Sequence, residues 1–118
     1  GESINSESVS GSGNKKVHVN SNCTSNLTTS VYTSSFGLPT GHPESESSAI
    51  QDFYVKSDQG DLTSYTPFPG IGTNEDLTVG THSGPSAINY VMDYKYVVDE
   101  NDVAGDYTVN LVYTVAKS

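Results

Sequence analysis

The sequence predicts an all-β domain of sandwich or barrel type, and three observations carry that prediction. Near the C-terminus two long segments alternate with a period of two: Ile88, Tyr90, Met92, Tyr94, Tyr96 and Val98 share one parity of 87–98, and Tyr107, Val109, Leu111, Tyr113 and Val115 share one parity of 107–116. Such a period marks strands with one buried and one wet face. Shorter β-leaning segments separated by Gly, Pro, Asn, Asp and Ser clusters precede them, and no stretch spaces its apolar residues as a helix would.

The first 14 residues are Gly, Ser, Glu and Asn apart from Ile4 and Val9. They carry too little apolar area to offset roughly 1–2 kcal/mol per residue of backbone ordering. The segment therefore reads as a flexible, extended arm, 1–15, leading into a single domain, 16–118. Residues 16–20 alternate around Val17 and Val19 as a short strand, and 27–36, Ser/Thr-rich with Val31, Tyr32 and Phe36, read as the next. Residues 37–48 form a loop by their Gly and Pro punctuation. A strand is expected over 49–56, a turn over 58–61, a pairing segment over 62–66 and a short strand over 76–79. The pair Gly84-Pro85 then breaks the chain before the strand at 87–98.

Composition bounds the function. The 118 residues suffice for one domain. Fourteen acidic residues against five Lys give a net charge of −9, so no basic surface is available to displace counterions from nucleic acid, and anionic membranes are disfavoured for the same reason. No apolar run approaches the roughly 20 residues of a membrane span, so membrane insertion is not expected. Eight Tyr against three Phe and no Trp suit half-buried strands whose hydroxyls reach water. The chain begins at Gly1, which points to a mature product after signal-peptide removal or to a cleavage scar. An acidic, Ser/Thr/Asn/Gly-rich composition with the single Cys23 fits an extracellular, cell-surface protein of bacteria or archaea, and Cys23 has no intrachain disulfide partner.

The segment Ala104-Gly105-Asp106-Tyr107, followed by alternating Thr, Val and Tyr to Val115, resembles the closing strand of secreted bacterial and archaeal immunoglobulin-like sandwiches. The resemblance covers about the last 30 residues. It implies an antiparallel β-sandwich of about seven strands, with 87–98 and 107–116 as neighbours. Tyr90, Met92, Tyr94, Tyr96, Val109, Leu111 and Tyr113 are expected inside. It further implies that the Tyr107 ring closes one end while its hydroxyl bonds to nearby backbone, as in a tyrosine corner. Val109 stands where antibody-type domains place a paired Cys, and Trp is lacking, so the chain looks like the disulfide-free surface-protein and pilin-type variants.

Those variants include filament subunits that assemble by donor-strand exchange, an extended N-terminal segment completing the neighbour's sheet. The resemblance thus implies a structural subunit of an extracellular filament or pilus whose partners are other copies of itself, with Ile4, Val9, Val17 and Val19 as apolar pegs of the donor strand. Two other arrangements are compatible with the same residues. Val17 and Val19 belong to the first strand of their own domain, or the arm before residue 15 is donated while 16–20 stays at home.

No catalytic set is evident. His82-Ser83 lacks a nucleophile elbow, Cys23 has no nearby His, and Gly70-Ile71-Gly72 lacks the strand and helix that phosphate binding requires. The chain is therefore not expected to be an enzyme or to carry a cofactor. Asp99, Glu100, Asn101, Asp102 and Asp106 crowd one turn, but their spacing departs from the regular calcium loop and reads as a solvated acidic turn. His18, His42 and His82 have no metal-ligand spacing. Asn22 and Asn26 match the glycosylation acceptor pattern. The rival function is a carbohydrate-binding or adhesive module for a surface glycan or host receptor, with Tyr32, Tyr54 and Tyr65 as candidate ring platforms.

Overall fold

The computed structural model describes residues 4–11, 14–22, 24–98 and 102–117. The strands are β1 (Ile4–Gly11), β2 (Asn14–Ser21), β3 (Asn26–Gly37), β4 (Phe53–Ser57), β5 (Thr66–Pro67), β6 (Leu77–Ser83), β7 (Ser86–Tyr96) and β8 (Thr108–Lys117); the helical turn α1 (Glu46–Ala49) and a 3-10 turn (Ile50–Asp52) precede β4. They form two antiparallel sheets, ordered β1-β2-β7-β4-β5 and β6-β3-β8. The all-β expectation holds, in the form of two sheets around one core.

The core draws on both sheets. Val17 and Val19 of β2, Val55 of β4 and Tyr90 and Met92 of β7 are buried from one side, and Leu27, Val31 and Phe36 of β3 and Val79 of β6 from the other. In β3 the alternation Leu27, Thr29, Val31, Thr33 points inward, after which an irregularity between Thr33 and Ser35 switches parity and turns Phe36 into the core. A bulge is what lets residues of opposite parity share one face. The Tyr90 ring lies against Gly80 of the opposing sheet, where a Cβ would stand 2.7 Å from its hydroxyl oxygen, so the close approach requires glycine.

The expected inward parity is observed: Tyr90 and Met92 are buried, and Tyr94, Tyr96, Val109, Leu111 and Tyr113 pack against the core. The expected pairing of 87–98 with 107–116 is not. β7 lies between β2 and β4, whereas β8 pairs with β3 in the other sheet. The link 97–107 is far longer than a tight hairpin turn and carries the chain across the sandwich. Each strand brings its apolar face to the same core from opposite sides. β7 also ends at Tyr96; Val97 N–H bonds to Asp52 C=O at 2.9 Å and Val98 is 74% exposed.

Three further segments differ from expectation. The polar stretch read as a flexible arm contains β1, paired with β2 from Ile4↔Ser21 to Gly11↔Asn14; strand pairing satisfies backbone N–H and C=O groups whatever the composition of the segment. The strand expected over 49–56 begins only at Phe53, and residues 46–52, the end of the expected loop and the start of that strand, are helical, because Ser45 caps the turn through its hydroxyl, which accepts Ser48 N–H at 3.2 Å, and Glu46 occupies the first turn. Of 62–66 only Thr66 enters a strand, while Leu62 is buried and its carbonyl accepts Ser57 N–H at 2.6 Å.

Across the sandwich, Tyr94 of β7 and Tyr113 of β8 join through their hydroxyls. Burial raises the pKa of Tyr94 and of Tyr113 above the ordinary phenol value, and for Tyr113 the Tyr94 partner adds to the rise. The unfolded chain ionises these groups near pH 10 while the fold retains their protons, so their contribution to stability is complete below about pH 10 and lost as pH rises beyond it. Urea unfolding should therefore show a lower midpoint at about pH 11 than at about pH 8, and a Tyr94→Phe/Tyr113→Phe variant should show a weaker alkaline decline.

Candidate functional site

At one end of the sandwich a polar cluster joins three segments distant in sequence. The turn that begins at Pro39 is closed by His42 N–H to Pro39 C=O, 3.2 Å, with Gly41 at φ +89, the backbone that a type II turn demands of its third residue. This delivers His42 inward. Its Nδ1 accepts the backbone N–H of Glu44 at 3.1 Å, so the proton of the neutral ring sits on Nε2. Nε2 then donates to Asp102 Oδ1 at 2.8 Å, and the Tyr96 hydroxyl donates to the same oxygen at 2.9 Å. The His42 and Asp102 side chains are 1% and 4% exposed. Burial, and then the bond to Asp102, raise the pKa of Tyr96.

Tyr107 completes this end. Its hydroxyl donates to Val103 C=O at 2.7 Å and accepts Val103 N–H at 3.1 Å, the backbone-bonded tyrosine that the resemblance implied. The ring stands edge-on to His42, with centroids 5.8 Å apart, and packs on Tyr96 at 5.2 Å. Gly105, at φ +144, abuts Pro39, where a Cβ would come within 2.5 Å of the proline ring. The turn before β8 is thus fixed onto the 38–47 loop.

Beside this cluster opens a cleft of about 540 Å³ lined by Leu38, Pro39, His42, Glu44 and Ile71 among others. Glu44 Oε2 accepts the Ser48 hydroxyl at 3.3 Å, whereas its Oε1 is buried without a hydrogen-bond partner. A ring nitrogen of His42 and one oxygen each from Glu44 and Asp102 lie within 4.8 Å of one another. The sequence reading missed this group because its members are spread over 60 positions; the Pro-Thr-Gly-His turn was its one local signal.

The other candidate residues lie elsewhere. Val17 and Val19 are in the chain's own core, opposite Tyr90 and Ile88 of β7. Ile4 and Val9 stand on β1 opposite Ser21 and Lys16. Asn22 and Asn26 are exposed around the start of β3, with the Ser83 hydroxyl donating to Asn26 Oδ1 at 3.0 Å. Of the three candidate ring platforms, Tyr54 and Tyr65 meet around the Lys95 ammonium, 5.2 and 4.4 Å from their centroids, with Lys56 5.3 Å from Tyr65. Tyr32 is on β3 of the other sheet. Among the acidic-turn residues, Asp102 enters the cluster and Asp106 is exposed; Asp99, Glu100 and Asn101, like Cys23, lie outside the described residues. Comparison with models of known protein families, with curated proteins and with solved structures finds no match.

Replacing Tyr107 by Phe keeps the ring packing but leaves Val103 N–H and C=O without their partner. Unfolding free energy should fall by about 1–3 kcal/mol in urea denaturation, with an unchanged β signature in circular dichroism.

Proposed function

We propose that this chain is the repeating structural subunit of an extracellular cell-surface filament, in which each copy exchanges its N-terminal strand with a neighbour. The observation that carries the reading is the place of β1. It is the outermost strand of the five-stranded sheet and meets the rest of the fold almost entirely through β2. A neighbour's β1 can therefore take the same register, Ile4↔Ser21 through Gly11↔Asn14, and restore every backbone hydrogen bond that opening removes. Head-to-tail exchange of identical elements generates open chains of subunits. The elongated shape, 51 × 29 × 21 Å, suits such an arrangement.

In this reading the exchanged segment ends before β2. Val17 and Val19 stay in their own core, since withdrawing two fully buried valines costs roughly 1.5–3 kcal/mol each. The resemblance to immunoglobulin-like, pilin-type surface proteins and the acidic composition point the same way.

A second reading, adhesion to a surface glycan, is favoured by the meeting of Tyr54 and Tyr65 with two Lys. An acidic sugar could stack on a ring and place its carboxylate between the ammonium groups, although Lys95 now covers both ring faces.

The test is deletion of residues 1–13. Negative-stain microscopy should show filaments of the full chain, monomers of the truncated one, and binding of an added 1–11 peptide to those monomers. Filaments from the truncated protein would exclude the mechanism, and glycan binding by a full-length protein that stays monomeric would favour the second reading.

A further inference from the structure

We propose that Glu44 and Asp102 form a binding site for a hard divalent cation, of the calcium class, with His42 and Tyr96 as positioning residues. Three observations converge on it. Glu44 Oε1 is a carboxylate oxygen with no hydrogen-bond partner, buried beside an open cleft. Buried carboxylate oxygens are ordinarily paired or coordinate a metal ion. An Asp102 oxygen lies within 4.8 Å of a Glu44 oxygen, a span that one cation about 2.3–2.6 Å from each can bridge. Asp102 is also already aimed: two neutral donors, His42 Nε2–H and Tyr96 O–H, hold its Oδ1, the outer-shell support that orients ligating carboxylates.

The chemistry of the donor set selects the cation. With Nδ1 accepting Glu44 N–H and Nε2 bearing the proton, His42 has no lone pair to offer. A zinc-type ion, which prefers nitrogen and sulfur, would have to force the ring into its other tautomer and break the bond to Glu44 N–H. Oxygen donors alone remain: Glu44 and Asp102, with Glu46 lining the same cleft and water completing the shell. Calcium accepts such irregular oxygen sets, whereas magnesium demands near-octahedral geometry. A cation here joins the 38–47 loop to the turn before β8 by a second link beside the His42–Asp102 bond.

The test uses the full-length chain stripped with chelator. Addition of calcium chloride should raise the midpoint of thermal unfolding saturably, and isothermal titration should give one site. Glu44→Gln, which keeps the shape and removes the charge, should lose the calcium-dependent shift while folding normally in chelator, and Tyr96→Phe should weaken calcium binding about tenfold. No calcium response in the wild-type chain would overturn the proposal. An undiminished response in Glu44→Gln would place the ion elsewhere, and tighter binding of zinc than of calcium would overturn the oxygen-only assignment.

Discussion

The ladder between β2 and β7 is the interaction on which the remaining structure depends. Its register, Lys15↔Met92 to Ser21↔Ser86, sets Val17 beside Tyr90 and Val19 beside Ile88, and so fixes which parity of both strands faces the core. A slip by one residue would turn each of these side chains to water. β7 holds β4 on its other edge, β4 holds β5, and β2 holds β1. Tyr90, lodged against Gly80, and the Tyr94–Tyr113 contact then join this sheet to the one centred on β3. The valines of β2 are consequently part of the fold's foundation, whereas β1 is attached to it.

A different economy operates at the 38–47 end. There the core is closed by a network, His42 and Tyr96 on Asp102 and Tyr107 on Val103, with rings packed around it. Buried polar groups of this kind stabilise only when their partners are in place. Asp102, Val103 and Tyr107 meet that condition, and the Glu44 Oε1 atom is where it fails.

What the sequence disclosed follows from what periodicity encodes. Alternation placed Tyr90, Met92, Leu111 and Tyr113 on inward faces because a strand's period of two is local. It was silent on the sheet to which each strand belongs, since β7 and β8 present the same pattern to one core from opposite sides. Phe36 reached the core through a bulge, which interrupts the period. The order of 4–11 was invisible because it comes from backbone pairing with β2, to which composition is blind. Tyr107 was legible through a local motif. The meeting of His42 with Asp102, or of Tyr54 with Lys95, is a product of tertiary register alone.

The central claim, that β1 is a separable outer strand on a core that already includes β2, is tested most directly by native-state amide hydrogen exchange. Amides of β2 and β7 that pair with each other should exchange only through global unfolding, and those of the β1–β2 ladder should exchange faster, through local opening that leaves the core intact. Equal protection of β1 and β7 amides would make β1 an inseparable part of the core and contradict the account.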